Sequence, residues 1–419
     1  MRKLLVLGGG TAGTMIANKL HKRLSRDQWT ITVVDRDDHH HYQPGYLFVP
    51  FGSYTPAEIV RSRHHFLADG VELVLGEIDR VQPDERVVRL EDGRSLAYDY
   101  LVIATGVTPR PDQTPGMLGA EWRRSIFDFY TLDGAEALGQ ALSGFDHGRL
   151  VVHIAEMPIK CPVAPLEFTF LVEAWLRERG IRDRVELTYV TPLDGAFTRP
   201  VASEHLGGML TERKVDVVTD FLVESIDPER KVLVSYDERE VPFDLLVTVP
   251  LNMGADFVAR SRLGDELNCV PVDKHTLLST SYDNIFAIGD ASNIPASKAG
   301  SVAHFAVEVF VDNFLEHAAG LPMTGSFDGH ANCFVESGDG KALLIDFNYD
   351  TEPLPGKYPL PYVGPLALLE ETRANHLGKL AFRHVYWNVL LPGHPVPLPA
   401  RMSLAGKEVP ADAETDKEA

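Results

Sequence analysis

Lys3-Leu4-Leu5-Val6-Leu7-Gly8-Gly9-Gly10-Thr11-Ala12-Gly13-Thr14 opens the chain with an apolar run that passes straight into glycines. The run reads as a buried strand, and Gly8-x-Gly10-x-x-Gly13 as the turn into a helix. Ile31-Thr32-Val33-Val34 reads as a second strand ending at Asp35, 22 residues beyond Gly13. Each position has a physical task in holding a dinucleotide. Gly8 permits the tight turn, Gly10 lets backbone N–H groups approach a pyrophosphate, Gly13 lets helix and strand pack, and Asp35 accepts ribose hydroxyls. Gly8, Gly10, Thr11, Ala12, Gly13, Asp35 and Arg36 are the candidate cofactor contacts of this half.

Two further segments accompany that turn. Tyr98-Asp99-Tyr100-Leu101-Val102-Ile103-Ala104 reads as a buried strand entering the turn Thr105-Gly106, and Asn284 to Ile288 as another entering Gly289-Asp290. Together they resemble the two-dinucleotide-binding-domain flavoproteins. That resemblance implies FAD as cofactor, with Thr105-Gly106 crossing beside its pyrophosphate and Asp290 holding a ribityl hydroxyl.

An internal repeat gives the architecture. Arg86 to Ile103 and Lys231 to Val247 each read as a hairpin feeding a buried strand just after an aspartate, Asp99 and Asp244, offset by 145 residues. The same offset lays Leu5-Val6 over Leu150-Val151. The expected fold is α/β, with two tandem Rossmann-like domains, the second inserted in the first. Residues 1–112 and 251–325 form the cofactor domain, 113–250 the second, 326–405 a C-terminal amphipathic helical region, and 406–419 a flexible acidic tail.

The second unit lacks its glycines. After Leu150-Val151 come His153, Glu156, Pro158, Lys160, Cys161, Pro162 and Pro165, whose side chains and missing N–H donors oppose a pyrophosphate, so NAD(P)H is not expected there. Cys161 instead sits beyond a strand end and before an expected helix, Pro165 to Arg179, where a helix N-terminus lowers a thiol pKa. Cys333 is a candidate partner 172 residues away, while Cys269 reads as structural, within an ordinary strand.

The whole set resembles the sulfide:quinone oxidoreductases: the N-terminal fingerprint, Cys161 to Glu167, Gly289-Asp290, Ser301 to Glu308, Cys333 before Glu336-x-Gly338-Asp339, and Gly378-Lys379-Leu380-Ala381-Phe382. The resemblance implies that Cys161 and Cys333 form a redox pair on the sulfide side of the flavin. It also implies that Glu167 handles protons, that Lys379 lies near the flavin ring, and that the loop His39-His40-His41-Tyr42-Gln43-Pro44 covers the flavin. It gives hydrosulfide as electron donor and quinone as acceptor, the quinone entering among Tyr42, Tyr46, Phe48, Phe382 and Tyr386. The chain departs from many members in having no cysteine at Ser125 to Phe129 and no histidine in Thr191 to Pro200. A type II NADH dehydrogenase, a flavocytochrome c sulfide dehydrogenase subunit and a non-catalytic flavoprotein remain as alternatives. The first needs the missing glycine loop, and the second an exported chain with a haem partner.

Composition bounds the rest. With 40 basic and 60 acidic residues among 419, the formal charge is −20, which argues against nucleic acid. Three scattered cysteines make neither a disulfide framework nor a zinc site, and three adjacent histidines cannot all face one ion, so no metal is expected. No apolar run approaches the roughly 18 to 20 residues of a bilayer span, and the N-terminus lacks a signal-peptide pattern. Tyr362 to Pro392 reads as two amphipathic helical stretches, with Leu366, Leu369, Phe382, Tyr386, Trp387 and Leu391 as an anchor face and Arg373, Lys379 and Arg383 for lipid headgroups. This implies peripheral membrane attachment, expected on the cytoplasmic face. The same stripe also suits a homo-oligomer interface.

Overall fold

The structure is a computed structural model of the 419-residue chain, in which residues 1–409 are described. The first sheet has five parallel strands in the order Ile285–Ala287, Tyr100–Ile103, Arg2–Leu7, Trp29–Asp35 and Glu72–Leu75. Leu4 to Leu7 and Leu101 to Ile103 are buried, as expected for strands covered on both faces. Because all five run the same way, Gly8, Ala104–Gly106 and Ile288–Asp290 emerge from one carboxyl edge. This is where open α/β sheets bind ligands.

The second sheet repeats the plan with Ile126–Phe127, Leu245–Val249, Gly148–Ile154, Val185–Val190 and Asp216–Val218, again all parallel. Each unit carries a three-stranded antiparallel sheet, Ile78–Gln82 with Val87–Leu90 and Ser95–Ala97, and Val223–Asp227 with Val232–Ser235 and Glu240–Pro242. The antiparallel pair Val107–Pro109 and Asn252–Gly254 joins the two units. The repeat is off by one residue from the expected offset in its first strand. Leu4 pairs with Tyr100 while Leu150 pairs with Leu245, so Leu150 corresponds to Leu4, not Leu5. A one-residue slip changes the face of every side chain. Strands buried on both faces carry no alternation to reveal it.

The C-terminal region differs from the two helical stretches expected. It begins with a four-stranded sheet in the order Ala331–Gly338, Lys341–Phe347, Gly364–Leu368 and Gly356–Leu360. Prolines 359, 361 and 365 lack the N–H that a helix needs, and Tyr362 to Leu368 falls into a hairpin. Only Arg373–Val385 is α-helical, running on into a π-turn at Tyr386–Leu390. The expected anchor residues Tyr386, Trp387 and Leu391 are at most 3% exposed and belong to the main core. Trp387 stacks on Phe66 with centroids 5.0 Å apart. Inward packing of this kind corrects the lipid-facing assignment.

Residues 406–409 are not a loose tail. The Lys357 N–H donates to the Gly406 carbonyl at 3.0 Å and that of Glu408 to Pro355 at 2.9 Å. Lys407 reaches buried Asp346, whose carboxylate also takes His330 Nε2 at 2.8 Å. The rest of that expected tail, 410–419, lies outside the described residues.

Candidate functional site

The first strand and the helix Thr11–Arg23 meet so closely that a Cβ on Gly13 would sit 1.8 Å from the Gly8 carbonyl oxygen. Gly8 itself holds φ +93°, and a Cβ there would strike the Ala104 carbonyl at 2.6 Å. In contrast, no atom lies within 4 Å of a Cβ built on Gly10 or Gly106, which leaves an open cradle at the helix N-terminus. Asp35 closes the cradle by accepting the Gly9 N–H at 2.7 Å and pairing with Arg63 at 3.0 Å. Arg63 is 5% exposed and also donates to the carbonyls of Gly9 and His39. Arg36 turns outward beside Asp37, and Pro44 is exposed in the turn Gln43–Phe48.

Two groups in the cradle lack protein partners of the right kind. Thr105 Oγ1 is buried and unpaired among the described residues, and a buried hydroxyl without a partner costs about 1–3 kcal/mol. Burial pushes the Asp290 carboxyl above the ordinary range, with Lys298 and Lys160 pulling it back. Gly289 lies over Ala12, its Cβ position 3.7 Å from that methyl. An open helix N-terminus, a ribose acceptor, an orphan hydroxyl and an unpaired carboxylate on one sheet edge fit the phosphates, ribose and polyol of FAD.

On the second sheet, Gly148–Ile154 leads through a Pro-rich loop into the helix Ala164–Glu178. Cys161 adopts φ +49°, a left-handed conformation that a side chain rarely takes. Three bonds hold it there. Its N–H donates to the Lys298 carbonyl at 2.5 Å, and its own carbonyl accepts the Ala164 N–H at 2.9 Å and the Tyr130 hydroxyl at 3.0 Å. Lys298 Nζ in turn donates to the Asp290 carbonyl at 2.7 Å, so one residue ties the Cys161 loop to the cofactor turn.

Cys333 arrives on the strand Ala331–Gly338, opposite Ile345. Both thiols feel the same two side chains, Glu167 and Lys379, and Cys161 also feels Cys333. Glu167, 1% exposed on the helix Ala164–Glu178, contacts the Lys379 ammonium directly and accepts the Glu336 N–H at 2.7 Å. Burial raises the Glu167 carboxyl; the flanking carboxylates of Glu167 and Glu336 overcome burial and raise Lys379, keeping it an ammonium. The expected lowering of the Cys161 thiol at a helix N-terminus does not occur. Burial pushes it well up, with Glu167 and Cys333 adding to the shift, and the Ala164 N–H and Lys379 offset only part. Cys333 is pushed up to about 12 by burial, partly countered by a hydrogen bond from Ser301. Cys269 lies apart, in an irregular segment rather than the expected strand, 3.6 Å from Lys298 Nζ.

The aromatic residues named from the sequence gather around Tyr386 and Lys379. Tyr42 and Tyr386 have centroids 5.1 Å apart, Phe382 and Tyr386 6.5 Å, and Lys379 Nζ stands 5.6 Å over Phe48. Tyr46 packs on His41 at 6.1 Å. Tyr386 joins this cluster to the cofactor cradle through a directed chain. His40 Nδ1 lies 3.1 Å from the Gly9 carbonyl, which only accepts, so Nδ1 carries the proton. His40 Nε2 then accepts the Tyr386 hydroxyl at 2.7 Å, and the Tyr386 oxygen accepts from Thr11 Oγ1 at 2.8 Å. Burial holds His40 neutral, down to about 3.

Sequence reasoning missed Arg63, Tyr130 and Lys298 as site residues, and placed His40 only within the loop expected over the flavin. Arg63 stands in a run of basic residues that reads as surface, and Tyr130 and Lys298 carry no local motif.

Comparison with known proteins accords with this geometry. A family model described as pyridine nucleotide-disulphide oxidoreductase matches residues 2–153. The chain is 27% identical over 400 residues to the mitochondrial sulfide:quinone oxidoreductase of Dictyostelium discoideum, covering 93% of this chain and 86% of that one. It is 26% identical to the mitochondrial sulfide:quinone oxidoreductase of Mus musculus, over 94% and 87% of the two chains. The X-ray structure of the sulfide:quinone oxidoreductase from Aquifex aeolicus shares the fold, with a TM-score of 0.77 at 20% identity over 94% of this chain and 92% of that one. The likeness to sulfide:quinone oxidoreductases runs along nearly the whole chain, through both nucleotide folds and the C-terminal sheet alike.

Proposed function

We propose that this flavoprotein oxidises hydrosulfide to sulfane sulfur at Cys161 and Cys333 and delivers the electrons to a quinone. The observation that carries the assignment is the convergence of two distant cysteines on one buried carboxylate–ammonium pair, in a loop that has replaced a nucleotide-binding turn. FAD would be held by the Gly8–Gly13 turn, Asp35, Thr105-Gly106 and Asp290, and when bound it supplies a two-electron acceptor that can pass electrons onward.

The residues of the chain do the rest. Hydrosulfide attacks one sulfur of the oxidised Cys161–Cys333 pair; the cysteine S–S bond breaks, a new S–S bond forms, and one cysteine is left as thiolate. The Lys379 ammonium draws the anion in and lowers the energy of that thiolate. The left-handed backbone at Cys161 is fixed through Lys298 and Tyr130, which holds the loop that carries this sulfur in one conformation. Quinone enters among Tyr42, Tyr46, Phe48, Phe382 and Tyr386, the apolar wall on the other flank of Lys379.

No helix among the described residues is long and apolar enough to cross a membrane. Peripheral attachment is supported instead by the hairpin tip, where Leu360, Tyr362 and Val363 are 58%, 86% and 76% exposed, and by Leu377 at 63% on the neighbouring helix. NADH is not a donor on this account. The second sheet offers no glycine turn, and its strand Val185–Val190 ends at buried Thr191 where a ribose-binding acid would stand. Anaerobic titration of the flavin band tests the assignment: sulfide bleaches it and NADH leaves it, whereas fast saturable bleaching by NADH alone refutes it.

A further inference from the structure

Both cysteine-bearing stretches are fastened to one short segment, Lys298-Ala299-Gly300-Ser301, which leads into the helix Gly300–Ala318. At its front the Lys298 carbonyl accepts the Cys161 N–H at 2.5 Å, and Lys298 pairs with Lys160 in a parallel bridge. Three residues on, Ser301 Oγ accepts the N–H of Asn332, the neighbour of Cys333, at 3.2 Å. With its oxygen so occupied, the Ser301 hydroxyl turns its proton to the Cys333 sulfur. The helix behind is firmly seated, since Val302, Ala303, Phe305 and Ala306 are all buried. A second tie, from the Glu336 N–H to Glu167, meets the chain six residues beyond Cys161 and three beyond Cys333, and so holds the cysteines less directly.

The Lys298 side chain shows what holds the segment itself. It is 9% exposed, and an ammonium carries three protons. Three acceptors stand around it: the Asp290 carbonyl at 2.7 Å, the Ser292 carbonyl at 3.1 Å and Cys269 Sγ at 3.6 Å. Its protons are thus spent on the cofactor turn and its surroundings, which makes this lysine a clamp and not an acid. Cys269, outside the redox pair, has a task here as the third acceptor.

A disulfide is demanding in geometry, because its two Cβ atoms must come within about 3.5–4.5 Å. A mount shared by both cysteines therefore decides how readily they join. We propose that Lys298 and Ser301 are positioning residues that set the closure of the Cys161–Cys333 pair, with the Lys298 clamp locking that setting to the cofactor turn. Lys298 holds the Cys161 loop through its carbonyl, and Ser301 holds the Cys333 strand through its hydroxyl. The assignment rests on the redox role of the pair proposed above.

The test equilibrates the FAD-loaded protein anaerobically in glutathione buffers of graded ratio. After acid quenching, the Cys161–Cys333 disulfide is quantified by peptide mass spectrometry, with flavin content and thermal melts recorded alongside. In the parent, the ratio at half-conversion fixes the potential of the pair. Lys298→Met keeps the stem and removes the clamp, and the pair becomes at least about tenfold easier to reduce, ~30 mV upward. Ser301→Ala gives a rise of the same size, whereas Ser301→Thr, which keeps the hydroxyl, stays within about twofold of the parent. A smaller rise in Ser301→Ala or in flavin-retaining Lys298→Met, or an equal rise in Ser301→Thr, overturns the mount and leaves the sulfide assignment standing. If Lys298→Met purifies without flavin, the two Ser301 variants decide by the same criteria. A parent protein in which Cys161 and Cys333 form no disulfide at any ratio overturns the sulfide assignment and the mount with it.

Discussion

Cys333 offers a quantitative check on the electrostatics of the proposed sulfide site. Burial holds its thiol at about 12 despite Ser301 and Lys379. At pH 8 only about one molecule in 10⁴ is then thiolate, against about a quarter for a free cysteine of pKa ~8.5. A more basic thiolate is a better nucleophile, and a Brønsted slope of ~0.45 over about 3.5 units returns roughly 40-fold. The net expectation is alkylation about 60-fold slower than a free thiol at pH 8, with a rate that climbs nearly tenfold per pH unit to beyond pH 10. The measurement is a time course of isotope-coded iodoacetamide on the reduced FAD-loaded protein, resolved by peptide mass spectrometry. Lys379→Met removes a cation that favours the thiolate, so it slows Cys333 further. Labelling of Cys333 within a few-fold of free cysteine at pH 8, or a rate that levels off below pH 9, refutes the reasoning.

Other outcomes follow from the same geometry. Cys161→Ala and Cys333→Ala lose sulfide-driven flavin bleaching by about 10²-fold or more, whereas Cys269→Ala keeps the parent rate in stopped flow. Gly13→Val forces its Cβ onto the Gly8 carbonyl and is expected to purify without flavin, checked by absorbance per chain. Tyr362→Ser with Val363→Ser, at an exposed hairpin tip, changes stability by no more than about 0.5 kcal/mol yet weakens binding to anionic vesicles; Trp387→Ala, at 2% exposure, costs ~3–5 kcal/mol instead. Equal vesicle binding by the hairpin variant counts against that attachment face. For Asp346, burial raises the carboxyl but His330 and Lys407 outweigh it and hold it low. A lowered folded-state pKa means stability that is present above the unfolded value of ~3.9 and is lost as pH falls through the folded one. The melting difference between Asp346→Asn and the parent is therefore expected at pH 7 and narrows in acid.

What could be read from the sequence was what the chain encodes locally. The Gly8 to Gly13 turn, Asp35, Thr105-Gly106 and Gly289-Asp290 each follow an apolar run by a fixed step, and parallel strands bring their ends to one edge without further information. The proposed sulfide site is different in kind. Cys161 and Cys333 come within each other's electrostatic reach because the helix that follows Cys161 packs on the strand that bears Cys333, and nothing near either residue specifies that approach. The C-terminal sheet was hidden by composition. Leucines and aromatics between Tyr362 and Pro392 suit a helix, a strand or a core equally, and the prolines at 359, 361 and 365 were the signal that could have decided. Trp387 and Leu391 show the related ambiguity, since an apolar stripe looks the same whether it meets lipid or protein.

The bond between Lys407 and Asp346 also bears on the order in which the molecule comes into being. Every group in the cofactor cradle lies before residue 319, but the sheet that bears Cys333 takes its last strand from Gly364–Leu368, and its buried Asp346 stays without its lysine until residue 407 is made. During synthesis the strand ends that form the cradle are therefore complete before the sheet that bears Cys333 has its last strand. The sheet that carries Cys333 gains its buried ion pair only when nearly the last of the described residues has left the ribosome.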